Sequence, residues 1–209
     1  MKYRFIAKYK TFLQNVKSNQ DGVAAIEFAL LAPVLIALYY GLAETTKAIA
    51  VDRSISHATS VIGDLATQSS NITQTDLEDI LSATLQIINS KSPSKVTIAL
   101  DSYGATAGSG SSTDLTVPIG SAVMNSGAAP LPEFDAGSVN QRLLNTSSGI
   151  VVSRIAYNYS PLKLRFMKTD FTLSDTFVLK PRKSSVTLFD NQPMKSYTCN
   201  SSDGNVRCS

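Results

Sequence analysis

The sequence predicts an α+β protein: a long N-terminal transmembrane helix that continues into a soluble domain, a second helix, and an antiparallel sheet of about four strands. Three observations carry that expectation. Val23–Ala43, VAAIEFALLAPVLIALYYGLA, holds a single ionisable side chain, Glu27. At 1.5 Å per residue this stretch is long enough to cross a hydrocarbon core of about 30 Å. Past it, Ala48, Val51, Ile55, Ala58, Ile62 and Leu65 recur at steps of three and four, one face of a helix that continues the span. From Lys95 onward the apolar residues alternate or form short β-branched runs, which is a strand pattern.

Residues 1–22 form a basic leader. Lys2, Arg4, Lys8, Lys10 and Lys17 precede the span with Asp21 opposing them. Positive charge beside a span marks its cytoplasmic side, so the N-terminus is expected in the cytoplasm and residues 44–209 beyond the membrane. The same charges at a topology-setting position argue against a nucleic-acid tail. The helix is expected to run from Val23 to about Thr67, roughly 65–70 Å, with a kink at Pro33. QSSNIT (68–73) breaks it. Thr75 and Glu78 have capping-box spacing, and Leu77, Ile80, Leu81, Leu85 and Ile88 make an apolar stripe, so a second helix is expected over 75–89.

Strands are expected at 95–100, 115–119, 149–159, 171–179 and 185–189. The 149–159 run (GIVVSRIAYNY) is the strongest of them, and Pro161 ends it. Residues 102–114, small and Gly/Ser-rich, read as a surface loop, and 140–144 as a short helical turn.

The chain has 209 residues, a net charge of +3 and 17% charged residues, compatible with one domain and an anchor. Its cysteines, Cys199 and Cys208, bracket a polar loop with Asp-Gly and Asn that closes easily into a ring. A disulfide there suits an oxidising compartment and is worth about 2–3 kcal/mol. That agrees with the topology read from the leader. Catalysis finds no support. The one histidine, His57, adjoins Ser56 on a helix, where neighbours diverge by about 100° and form no dyad. The glycines at 104–110 follow neither a phosphate-loop nor a dinucleotide order, no acidic cluster has metal-loop spacing, and no cofactor is expected.

What remains is the junction around Glu27. A carboxylate inside a span costs on the order of 2–3 kcal/mol near the centre, which makes it a functional residue by default. A basic leader, then Gly22, four apolar residues and Glu27-Phe28 at the start of an apolar helix resemble the processing site of type IV prepilins. The fuller string GVAAIEFALLAPVL is similar to the opening of TadE-like pseudopilins of the Tad (Flp) pilus, with Gly22, Ala24, Glu27, Phe28, Ala29, Leu30 and Pro33 in place. The later IVVSRIAYNYSPL and TFVLKPR share that family's style.

The resemblance implies a structural subunit and not an enzyme. A prepilin peptidase would cut between Gly22 and Val23 and leave a TadE-like minor pseudopilin. Its anchor, 23–43, would lie in the bacterial inner membrane, with an extracytoplasmic domain over 44–209. Partners would be that peptidase, other pilins and pseudopilins, and the Tad inner-membrane assembly platform. Glu27 and Phe28 would dock subunits, since the new amine at Val23 is a cation that a neighbour's Glu27 can meet in a low dielectric. Two alternatives are an unprocessed single-pass adhesin or envelope scaffold, and a secreted form cut after Ala48-Ile49-Ala50 to begin at Val51.

Overall fold

The computed structural model describes residues 22–88, 93–107, 113–125, 127–135, 139, 148–161, 170–202 and 205–209. Most of the basic leader and the expected turn at 140–144 therefore lie outside the described residues. The first helix, α1, runs Val23–Thr67 through Pro33, with the ends expected from the apolar pattern. Two compact units divide within it, Met1–Thr46 and Lys47–Ser209.

In the second unit, α1 buries Ile55, Ala58, Thr59, Ile62, Gly63, Ala66 and Thr67, a stripe at steps of three and four. It is followed by the two-residue strand β1 (Asn71–Ile72) and the helix α2 (Gln74–Ile88). The capping box of α2 is not the expected Thr75/Glu78 pair. Thr73 is the cap: its hydroxyl accepts from the Asp76 N–H at 3.2 Å, and Asp76 Oδ2 accepts from the Thr73 N–H at 3.0 Å. The Thr73 carbonyl takes the first helical bond, from Leu77 N–H at 3.0 Å. Both pairs have the right spacing, but Glu78 accepts from the Cys208 N–H of β8 instead of closing a box with Thr75.

A 3-10 turn at Pro93–Lys95 leads into β2 (Val96–Ala107), and β3 (Thr113–Met124), β4 (Gly149–Tyr159) and β5 (Phe171–Leu179) follow. Next come the short β6 (Leu188–Phe189), then β7 (Lys195–Ser202) and β8 (Asn205–Cys208). The main sheet has six strands in the order β5-β4-β2-β3-β7-β8, and β1 pairs with β6 in a two-stranded ladder. The architecture is α+β as expected, but the main sheet is mixed, because β3 and β7 run parallel.

Three expectations are corrected here. Residues expected as loop, 102–114, are largely strand: β2 reaches Ala107 and β3 starts at Thr113. Ser, Gly and Ala are weak strand formers, but β2 is held on both sides by β3 and β4, and that pairing overrides propensity, with register shifts between Ser102 and Ala105. The expected strand 185–189 shrinks to Leu188–Phe189 and pairs parallel with β1 inside the stretch read as a break. The polar loop expected between the cysteines is instead the β7–β8 hairpin.

The core lies between one sheet face and the helices. Val96, Ile98 and Leu100 of β2, Ala122 and Met124 of β3, and Val151 and Ile155 of β4 pack with Ile55, Ile62, Leu77 and Leu81. Each such aliphatic side chain contributes about 1.5–3 kcal/mol on burial. On the opposite face Ile150 and Val152 are covered by Tyr103, Phe134 and Val139.

Candidate functional site: the amino-terminal segment of the first helix

Gly22 stands immediately before α1, and Val23 is the first α-helical residue. A Cβ added at Gly22 would meet nothing within 4 Å. Ala24, Glu27, Phe28, Ala29, Leu30 and Pro33 occupy the first turns of the helix, close along one element, as their spacing in sequence requires. Among the described residues Glu27 has no cationic partner. It lies one helical turn beyond Val23 and leaves a carboxylate on an otherwise apolar surface.

That surface is bare. Val23, Ile26, Phe28, Leu30, Leu31, Val34, Leu35, Ile36, Leu38, Tyr39, Tyr40 and Leu42 are all exposed, Phe28 at 68% and Leu30 at 70%. The most apolar window of α1 has a mean hydropathy of 2.0 and none of it is buried. Among the described residues nothing covers this stretch, which is long and apolar enough to cross a membrane. Tyr39 and Tyr40 stand edge to face at 6.2 Å near the far end of the stretch, as amphipathic rings do at a membrane–water boundary. Just beyond, the hydroxyls of Thr45 and Thr46 donate back to the carbonyls of Gly41 and Leu42, each at 2.8 Å, so neither is left unsatisfied.

Among its described residues the second unit shows no comparable chemistry. Among the described residues no group of three or more His, Cys, Asp or Glu side chains could hold a metal ion. His57 is exposed on α1. Ala48–Val51, the small-residue site considered for signal peptidase, lies within continuous helix.

Cys199 and Cys208 are joined by a disulfide and face each other directly across β7 and β8. Thr198 and Ser209 exchange both backbone bonds at 3.0 Å, so the cysteines occupy the adjacent narrow pair of the antiparallel ladder, with Cα atoms 4.0 Å apart. This hairpin is clasped to α2: Glu78 Oε1 accepts from the Cys208 N–H at 2.9 Å, and Gln74 Nε2 donates to the Cys208 carbonyl at 2.7 Å. The Cys208 N–H holds the Glu78 carboxyl below its usual range, and the Thr73 hydroxyl, then its N–H, does the same for Asp76.

A polar cluster that the sequence did not reveal lies on the sheet face away from the helices. Arg154 Nη2 pairs with Asp101 Oδ2 at 2.6 Å, the Ser121 hydroxyl donates to Asp101 Oδ1 at 2.7 Å, and Arg154 Nη1 donates to the Pro132 carbonyl at 3.1 Å. These contacts pin the segment around Pro132 across the sheet. Strand parity alone could have placed Asp101 and Arg154 on one face; their pairing needed the register of β2 with β4.

These features define a class first: a chain with one N-terminal helix long and apolar enough to cross a membrane, leading into an α+β unit. Residues 22–62 match the family model described as TadE-like protein. The match starts at Gly22 and ends at Ile62 within α1, so over that helix the chain is TadE-like. That similarity suggests a component associated with Tad pili. No curated protein and no solved structure matches the chain.

Proposed function

We propose that the protein is a minor pseudopilin of a Tad pilus, made as a precursor and cut between Gly22 and Val23 by a prepilin peptidase. The observation that carries the reading is the coincidence of three starts at one place: the family match at Gly22, the helix at Val23, and the exposed apolar run that follows. In this reading 1–22 is a cytoplasmic leader, 23–43 the inner-membrane anchor, and 44–209 the extracytoplasmic unit. The cut creates a cation at the Val23 amine. Glu27 of a neighbouring subunit meets it at the edge of the low-dielectric region, each charge offsetting part of the desolvation cost of the other. Phe28, Ala24, Ala29, Leu30 and Pro33 shape the helix surface around that contact. The pair sets the axial register between subunits, and the assembly platform and other pilins are the partners it serves.

The decisive measurement is the N-terminal residue of the mature protein from its native cell. Val23 is expected. Met1 would indicate an unprocessed anchor and Val51 a secreted form, and either would overturn the reading. Gly22→Phe, at a position where an added Cβ meets nothing within 4 Å, abolishes the mobility shift caused by loss of the leader. Glu27→Gln leaves the cut intact and lowers pilus output.

A further inference from the structure

The two edges of the main sheet are treated differently. At one end, β8 is short, tied by the disulfide, and sealed by Gln74 and Glu78 on the backbone of Cys208. At the other end, β5 is nine residues long, contains neither proline nor lysine, and among the described residues has no strand on its outer side. A long, uncovered edge of this kind is a template for another strand.

The side chains of β5 divide by parity. Phe171, Leu173, Asp175, Phe177 and Leu179 lie opposite Tyr159, Tyr157, Ile155, Ser153 and Val151 of β4, on the face that carries the helices. Phe171 and Phe177 remain 43% and 42% exposed there. Phe177 and Leu179 also line an open groove of about 360 Å³ with Ser60, Val61, Asp64 and Leu65 of α1, and Leu65 is itself 37% exposed. The Thr176 N–H is taken by its neighbour's carboxylate, Asp175 Oδ1, at 2.8 Å rather than by β4. The even-numbered backbone groups, those of Thr172, Ser174, Thr176 and Val178, therefore turn outward.

Read outward from Ser174, the strand is nearly a palindrome, Phe-Thr-Leu-Ser-Asp-Thr-Phe over 171–177. We infer that β5 pairs antiparallel with β5 of a second copy about a two-fold axis at Ser174. In this register Thr172 and Ser174 face Thr176 and Ser174 of the second copy as hydrogen-bonded pairs. Phe171 faces Phe177 of the second copy as a narrow pair, where side chains approach most closely. Each Phe171 arrives beside the groove at Phe177 and Leu65, which the chain alone leaves open. The interface is isologous, so every favourable pair occurs twice. Leu173 against Asp175 is the one mismatched pair, and Asp175 must also release the Thr176 N–H. Asp175 thus acts as a gatekeeper that holds the pairing weak until copies are concentrated. The contact lies wholly in the second unit and stands whether or not Gly22–Val23 is cut.

The test is oxidative crosslinking of the full chain in membranes. Among the described residues no cysteine is free, so an introduced thiol reports its own neighbours. Ser174→Cys is expected to give a covalent homodimer, and Thr172→Cys alone little. Thr172→Cys and Thr176→Cys chains expressed together are expected to give a mixed dimer. Adding Asp175→Ala raises the Ser174→Cys yield severalfold, and Phe177→Ala lowers it. All these positions are on the exposed edge, and unchanged far-UV circular dichroism confirms that each variant folds. Absence of the Ser174→Cys homodimer overturns the inference. So does equal crosslinking by Thr172→Cys alone, which marks random collision, or crosslinking of Ser174→Cys only to a different protein.

Discussion

Replacing Gly63 by alanine sets two opposed effects against each other, and the structure decides between them. In an exposed helix the change would stabilise by about 1 kcal/mol, because alanine is the better helix former. At Gly63 the new methyl group would lie 2.8 Å from Ser153 Oγ and overlap the end of Leu179. Ser153 is fully buried, and its hydroxyl donates to the Thr59 carbonyl at 2.8 Å, tying α1 to β4. Pushing it away costs on the order of 1–3 kcal/mol for a buried hydroxyl left without its partner. Crowding of Leu179 adds about 1 kcal/mol more, near the low end for overpacking, since that side chain is only half-buried and can swing. The net loss is about 2 kcal/mol, or a fall of roughly 4–8 °C in Tm for a unit of this size. Thermal unfolding of the full chain in detergent, followed by near-UV circular dichroism of its tyrosines, reads it. Trimming Leu179 to alanine in the Gly63→Ala background relieves only the crowding, so most of the loss persists. A Gly63→Ala protein as stable as the parent, or more so, would refute the close approach of α1 to the sheet.

Three further outcomes follow from local geometry. Thr73→Ala removes the cap of α2 and lowers stability by about 1 kcal/mol, whereas Thr75→Ala changes it little; denaturant midpoints separate the two. Replacing Cys199 and Cys208 together by alanine opens the ring and costs about 2–3 kcal/mol, seen as an earlier thermal transition that reductant no longer shifts. Glu78 is held below its usual range by the Cys208 N–H, so its contribution is present above the ordinary glutamate value and is lost as pH falls through the lower folded value. Acid unfolding of Glu78→Gln is therefore expected to show a shallower pH dependence over that window, with the difference from the parent shrinking at the acid end.

The apolar stretch and α1 are legible in the chain because their determinants are local. An unbroken apolar run followed by apolar residues at steps of three and four marks the helix from Val23 to Thr67, and the family match falls on the same residues. Gly22, Glu27, Phe28 and Pro33 were singled out by their spacing along the chain and the family resemblance, which need no tertiary information. The strands β4 and β5 were legible for the same reason, with β-branched and aromatic runs that end where pairing ends. Thr73 against Thr75 was not, because two capping boxes offset by two residues look alike until Glu78 is seen to serve the distant Cys208 N–H.

Tertiary structure decided what distant segments do to one another. Residues 102–107 are strand because β3 pairs with them and β4 flanks 102–104, not because Ser, Gly and Ala prefer it. Asn125, at a positive φ of 50°, donates to the carbonyls of Pro93 and Val96 and accepts from the Ser201 N–H, joining three places no local pattern connects. The parallel β3–β7 pairing makes the sheet mixed, and among the described residues β5 is its long unpaired edge. Periodicity by itself determined which residues would be helical and which apolar faces needed cover. Which faces found cover within the chain, and which are left for lipid or another subunit, depended on backbone pairing between segments far apart in sequence, and one-dimensional spacing does not encode that.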